Sequence, residues 1–526
     1  MNRSSKRIIC AALCISLALA ACSAPAAAPN ESVSTAASVE ATRQSIVVTY
    51  ESAASPPPVP TPTRAAPTLE PLPTLGPPQK SSAPDPVRRI PDHGTITSTY
   101  TVQPGDTLSA IAEATGATVD ELQQMNDMAN VNMLKVGQVI HIQLPIQGQA
   151  PSLKLIPDSE LVGSPTAAHF SVEQFMAAHP QGYLNTYTEL VNGVQMTGTL
   201  ILERVAQQFS VHPRLLLALL EYVGGWVDNP APAGDQLKYP MGYNLTNLAS
   251  LDVQLNWAAA RLNEGYYGLR LGTRLWVRFH DGGRAYMGDG INAGTAGVQN
   301  YLAAINTRPV WQTVLGDGPS SFLATYKRLF GDPWQFDLGQ LVPDGLKQPE
   351  LSLPWPKGQV WLFTGGPHAT WAAGSPWGAM DFTAWQAYGC DRLYDWVTAM
   401  TPGVIARSVN GEVVEALDPS GNEHVGWSIL YMHLGAPDRV PAGARVKTGD
   451  HLGHPSCEGG VTTGSHVHVA RKYNGEWLNA AGAVPFVMSG WTAHEGVVEY
   501  DGSLTKDGQT RTPCECKVQA TNGLSW

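Results

Sequence analysis

Three stretches of this chain carry ordered apolar patterns, each with its own period. In residues 100–142, Tyr100, Thr101 and Val102 read as a strand, Pro104, Gly105 and Asp106 as a turn with an N-cap, and Leu108, Ile111 and Ala112 as one helical face. A second helix carries Val119, Leu122 and Met125, and residues 139–142 (VIHI) alternate as a closing strand. From about 165 to 345 the period is helical. Leu202, Val205, Ala206 and Phe209 share a face, a second apolar run covers 215–220, and further helices are expected near 251–266 and 294–304. Beyond Trp355, short apolar and aromatic runs (VWLFTGG, AMDFT, WSILYMHLG) are broken by glycines, as in an antiparallel β domain. The expected fold class is multidomain α+β.

The N-terminal region follows another pattern. Arg3, Lys6 and Arg7 precede an apolar run at 8–21, too short to span a bilayer comfortably and shaped like a secretory signal. Residues 22–97 are dominated by Ala, Ser, Thr and Pro. Such a stretch cannot bury enough apolar surface to offset its ordering entropy, so a disordered tether is expected. Export bears on the cysteines. Of seven, Cys10 and Cys14 leave with the signal, and Cys390, Cys457, Cys514 and Cys516 favour disulfides in an oxidising compartment. Cys390 is expected to pair with Cys457, since only Glu515 separates the other two. The net charge of -11 gives no basic surface for phosphates, which excludes nucleic acid as the expected partner and leaves polysaccharide or peptide.

Several segments resemble known families. Leu19-Ala20-Ala21-Cys22 resembles the lipobox of bacterial lipoproteins, which implies cleavage before Cys22, a lipid on its thiol, and a membrane-anchored place in the cell envelope outside the cytoplasmic membrane. Residues 100–142, through Tyr100-Thr101-Val102, Pro104-Gly105-Asp106-Thr107-Leu108, Asn126 and Val136-Gly137-Gln138, closely resemble LysM modules. That resemblance implies a βααβ domain at 98–145 that binds N-acetylglucosamine-containing glycans such as peptidoglycan, with contacts at Gly105, Asp106, Thr107, Leu108 and Leu134. The middle domain, 165–345, resembles lysozyme-like lytic transglycosylases, in which a helix ends in Glu-Ser. Val223-Gly224-Gly225-Trp226 stands in that place, and Glu221 falls two residues early on a different helical face. A glycosidase acid must be held beside the leaving oxygen, so a degenerate, non-catalytic spacer or glycan-binding domain is expected.

The candidate chemistry lies near the C-terminus, where eight of the fourteen histidines follow residue 367. His466 and His468 flank one valine, and on a strand both imidazoles would face one side. Zinc takes neutral imidazole and carboxylate, and a catalytic zinc keeps three protein ligands and one open position. His368, Asp381 and one histidine of the pair supply such a set; the other, with His433, could move a proton or steady an oxyanion. Spacing does not say which histidine does which.

Residues 355–490 resemble the M23 zinc endopeptidases through Gly366-Pro367-His368, Met380-Asp381-Phe382, Tyr431-Met432-His433-Leu434 and Thr463-Gly464-Ser465-His466-Val467-His468. The lysostaphin-like His-x-x-x-Asp spacing fails, because Trp377 stands four residues before Asp381; the longer step from His368 is similar to the β-lytic subgroup. The resemblance implies Zn²⁺ held by His368, Asp381 and His468, with His466 as general base and His433 as transition-state stabiliser, in a peptidase domain at 350–490 that cuts peptidoglycan cross-links or glycine-containing stems. The alternatives are a non-catalytic scaffold that activates other hydrolases and a secreted protease of glycine-rich proteins. The polar extension at 491–526 has no function in this reading.

Overall fold

A computed structural model describes residue 90 and residues 93–102, 106–244, 248–460 and 462–526. The expected signal at 1–21, Cys22, most of the tether, and Gly105 lie outside the described residues.

The first module is built on β1 (His93–Thr101) and β2 (Val139–Gln147), which pair antiparallel along their whole length. Between them in the chain lie α1 (Leu108–Thr115) and α2 (Val119–Met125). A capping box starts α2: the Thr118 hydroxyl accepts from the Glu121 amide at 3.0 Å, and the Glu121 carboxylate accepts from the Thr118 amide at 2.7 Å. Val102, Leu108, Ile111, Leu122, Ile140 and Ile142 form the core. The strand pairing runs on past the expected boundaries of 98 and 145, with Thr95, Ile96 and Thr97 paired to Pro145, Leu144 and Gln143.

The second domain centres on α3 (Gly198–Phe209), α4 (Pro213–Gly224), α5 (Leu251–Leu271), α6 (Ala293–Ala304) and α7 (Phe322–Phe330). Side chains of Thr197, Ser250 and Ser321 cap three of these helices. Helices α5 and α6 approach closely because Gly265 and Gly297 meet there; a Cβ on Gly265 would lie 2.8 Å from the Gly297 Cα. The domain begins before the expected residue 165, since Leu155, Ile156 and Leu161 are buried in its core.

The third domain carries a nine-stranded sheet. Its strands include β3 (Trp361–Ala369), β4 (Trp377–Ala384), β5 (Gly403–Val409), β6 (Glu412–Ala416), β7 (Trp427–Met432) and β8 (Val467–Tyr473). Across the sheet the order is Arg445–Val446, β5, β6, β7, β8, β4, β3 and Gly523–Leu524, every neighbour antiparallel. Alternation divides its faces. Met380, Phe382, Val413, Ile429, Tyr431 and Val469 fill the domain's own core, while Ala379, Val414, Leu430, Met432 and Ala470 pack into the core of the helical domain.

The region 491–526 is not a separate extension. Trp491–Glu495 pairs with Gly502–Lys506, and Gly523–Leu524 adds to β3, covering what would be an open edge of the sheet. No sequence periodicity announces this, because the segment's order comes from the edge it covers.

Candidate metal centre

Strand register brings the predicted residues together. Asp381 on β4 is the direct cross-strand partner of His468 on β8, which on its other side faces Met432 at the end of β7. His433 follows with a left-handed φ of 65°, a conformation uncommon for a side-chain-bearing residue. His368 lies near the end of β3, paired with Ala379, and His466 bridges to Ser456 just before β8.

His368 Nε2 lies 3.0 Å from His468 Nδ1, and Asp381 Oδ1 is 3.4 Å from the first and 3.3 Å from the second. Among the described residues this is the group that could hold a metal ion. The protons decide the reading. His368 Nδ1 donates to the Gly366 carbonyl at 2.8 Å, and His468 Nε2 donates to the Thr370 carbonyl at 3.0 Å. A carbonyl only accepts, so in neutral rings those nitrogens carry the hydrogens and the two facing nitrogens are bare. Asp381 Oδ1 is buried without a hydrogen-bond partner. Three lone-pair donors therefore converge with no proton among them, an arrangement that repels itself unless a cation sits between. Two neutral imidazoles and a carboxylate are a zinc-type donor set, and both histidines have the carbonyl partners that orient metal ligands. The residues fit the ion.

Burial pushes the His368 imidazole down to about 4, against the attraction of Asp381. Burial alone would raise the Asp381 carboxyl, but His368, His466 and His468 around it outweigh that and bring it well below the usual carboxylate range. Both shifts keep the ligands deprotonated, as metal binding requires.

His466 Nε2 stands 3.5 Å from Asp381 Oδ1, while its Nδ1 donates to the Gly464 carbonyl at 2.7 Å, so Nε2 can accept a proton. The His433 ring is 4.5 Å from that of His466, and its Nδ1 donates to the Glu458 carbonyl at 3.1 Å. Burial, then His466 and His468, bring His433 down to about 3, so it too is a neutral ring before reaction. Cys390 and Cys457 are joined, with Cα atoms 5.6 Å apart. This clamps the loop supplying the Glu458 carbonyl to the loop whose Gly389 carbonyl accepts from the Ser465 amide at 2.7 Å. Cys514 and Cys516 are also joined, across the single residue Glu515.

One residue escaped the sequence reading. Tyr500 lies flat on His368, ring centroids 4.2 Å apart and 17° between planes. The Gly366 amide donates to the Tyr500 carbonyl at 2.9 Å, and a side chain at Gly366 would collide with the Asp501 backbone. Burial, then Asp381, push the Tyr500 phenol up to about 12. Only the glycine pair before Pro367 hinted that another backbone must come close.

The long step between His368 and Asp381 also has an explanation. Its loop packs on the helical domain, with Trp371 against Phe209 at 6.3 Å and Gly374 against the backbone of Ala260 in α5. Asp381 and His468 are two residues from Ala379 and Ala470, so the centre occupies the sheet face that the helical domain covers further along.

The other expected residues are dispersed. Glu221 accepts from the amides of Val227 at 2.9 Å and Asp228 at 3.2 Å and pairs with Arg328 at 2.7 Å, which occupies its carboxylate in capping a turn. In the first module, Asp106 accepts from the Tyr100 hydroxyl at 2.9 Å and Thr107 is exposed. The Leu108 side chain is buried in the module's core. Leu134 packs partly against the same core. His424 donates through Nδ1 to the Gly163 carbonyl at 2.7 Å, joining the helical and sheet domains.

Residues 100–143 match the family model "LysM domain" and residues 154–344 the model "LasA, N-terminal domain". The chain is 26% identical over 303 residues to "Protease LasA" of Pseudomonas aeruginosa, covering 54% of this chain and 68% of that protein. These matches show a LysM domain at 100–143 and similarity over 54% of the chain to a protease. It is also 29% identical over 182 residues to "Beta-lytic metalloendopeptidase" of Achromobacter lyticus, covering 32% and 44% of the two chains. The solved structure of the M23 metalloprotease pseudoalterin is 24% identical, covering 32% of this chain and 96% of that one with a TM-score of 0.28.

Proposed function

We propose that the protein is a zinc endopeptidase that hydrolyses peptide bonds of peptidoglycan, at cross-links or glycine-containing stems, while its LysM module holds the glycan. The observation that carries the reading is the convergence of His368 Nε2, Asp381 Oδ1 and His468 Nδ1 with no proton among them.

Zinc, when bound, would acidify a water and polarise the scissile carbonyl. The chain's own residues do the rest. His466, with Nδ1 committed to Gly464, offers Nε2 to take the water's proton. The Gly464 carbonyl steadies the resulting imidazolium and can keep the ring aimed until the proton passes to the leaving amine. His433, neutral before reaction with its hydrogen committed from Nδ1 to the Glu458 carbonyl, has a bare Nε2, so it would steady an oxyanion only after Nε2 takes up a proton passed on from the attacking water through His466. Tyr500 stacks on His368 and holds one wall of the site. The site is assembled from strand ends and the loops between them. An intact donor set favours this reading over the non-catalytic scaffold.

The envelope location belongs to the same proposal: a lipid at Cys22 would tie the enzyme to the outer side of the cytoplasmic membrane, and residues 22–89 would let it reach the wall. Mass spectrometry of fragments released from purified sacculi tests the activity. New peptide ends from wild type, absent with His466→Ala and after chelation, would support it and name the bond. Intact sacculi with zinc bound stoichiometrically would sink it.

A further inference from the structure

A second polar cavity lies far along the chain from the metal ligands. It has a volume of about 470 Å³, within the ~300–1,000 Å³ of small-ligand sites, and lies between the LysM module and the helical domain. The LysM wall includes Ser109 and residues 116–119; the opposite wall includes Tyr243, Trp257, Arg261, Arg274 and Arg278.

The two walls are locked together. The Arg284 guanidinium donates to Glu121 Oε1 at 2.8 Å and Oε2 at 2.6 Å, and also to the Gly116 carbonyl at 2.8 Å. Gly116 has a φ of 72°, and Trp276 fills the space that a Cβ there would need. A cavity between parts docked in this way is preformed and costs little ordering when a ligand enters.

Its chemistry combines two features. Tyr243 and Trp257 stack at 4.2 Å with 4° between their planes, and Tyr301 packs 5.9 Å from Trp257, so the outer face of Tyr243 is the flat surface on which an apolar sugar face can rest. Around them the charge is unbalanced. Glu264 is shared by Arg261 at 3.1 Å and Arg274 at 2.5 Å, and it also accepts from Asn300 at 2.9 Å. No hydrogen bond or close ion pair to the Arg278 guanidinium occurs among the described residues, although Glu121 lies near enough to favour its charge, and Arg261 Nε is buried without a partner. Burial and the neighbouring Arg284 work against the charge on Arg278 more than Glu121 and Tyr243 favour it, a net penalty that a further anion would relieve.

From the aromatic stack and the unmatched guanidiniums we infer that this cavity binds a carboxylate-bearing amino-sugar oligosaccharide, as a second glycan site beside the LysM module. The choice of a saccharide among anions rests on the peptidoglycan reading above; the anion preference rests on the cavity. A fork of guanidinium N–H groups suits a carboxylate, which can accept two of them at once.

The test is calorimetric titration of the full chain with two probes: a peptide-free oligomer of alternating N-acetylglucosamine and N-acetylmuramic acid, whose lactyl carboxylates are free, and neutral N-acetylglucosamine tetramer. Arg278→Gln should weaken the acidic oligomer at least tenfold and leave the neutral tetramer within twofold, the latter showing that the fold is intact. Arg278→Lys, which restores charge without the fork, should recover only part of the loss. No binding of the acidic oligomer to wild type, or equal affinity for wild type and Arg278→Gln, overturns the inference. Cleavage of sacculi is read separately. Arg278-dependent binding without cleavage would reject the peptidase reading and keep the site; cleavage with Arg278-independent binding would reject the site alone.

Discussion

Tyr500 lies parallel to the His368 imidazole at 4.2 Å, although 132 positions separate the two in the chain (500 - 368). The stack fixes a metal-ligand ring on the face opposite its freedom to swing, while the Gly366 carbonyl fixes it edge-on. Groups that orient ligands in this way typically change metal affinity by ~10–100-fold when removed. Tyr500→Ala should therefore raise the zinc dissociation constant roughly tenfold or more, and Tyr500→Phe, which keeps the stack, only a few-fold. Competition with a chromophoric chelator measures both, and equal affinity in all three proteins would remove the stack from the account.

Asp381 and His466 should fail in different ways. Asp381→Asn replaces an acceptor-only oxygen with an amide and should empty the centre, read as metal content after dialysis. His466→Ala should keep the metal and lower kcat by ~10²–10⁴-fold, the usual worth of a general base. Loss of zinc from His466→Ala would make it a ligand and reverse the assignment of the pair.

Glu415 sets a pH dependence distant from catalysis. Burial pushes its carboxyl up from 4.5 to about 8, although the Tyr431 hydroxyl donates to it at 2.6 Å. The folded state thus holds a proton that the unfolded chain gives up. The sign follows: this group's contribution is fully present below pH 4.5 and is lost as pH rises towards about 8. Glu415→Gln should flatten the fall in thermal midpoint between about pH 5 and pH 8; an unchanged slope would show that Glu415 ionises without cost.

The Cys390–Cys457 bridge should matter for both stability and rate. It closes a loop across a sequence separation of 67, for which removal costs roughly 2–5 kcal/mol. Because it clamps the loop that carries the Glu458 carbonyl, Cys390→Ser should also reduce kcat while leaving zinc stoichiometric. A variant that melts earlier but turns over at the wild-type rate would confine the bridge to stability.

Much of the centre was legible because its parts are local. His466-Val467-His468 shows its shared face through strand alternation alone, and the Thr118–Glu121 capping box marks a helix start within four residues. That Val223 stands where a glutamate would be expected was equally readable, and Glu221, one helical half-turn earlier, accepts from two backbone amides. Tyr500 was hidden in a stretch with no period, since its position depends on a backbone contact with Gly366 that no local pattern encodes.

By itself, the sequence determined the kinds of elements, their order and the donor types available, because periodicity and side-chain chemistry are properties of neighbouring residues. Which atoms of His368 and His468 face each other and Asp381, that Tyr500 stacks on one of these rings, and that Arg278 lines the cavity without a close ion pair among the described residues were decided by tertiary structure. Those outcomes depend on strand register and on which carbonyl each imidazole meets, and register is set by packing between segments far apart in the chain.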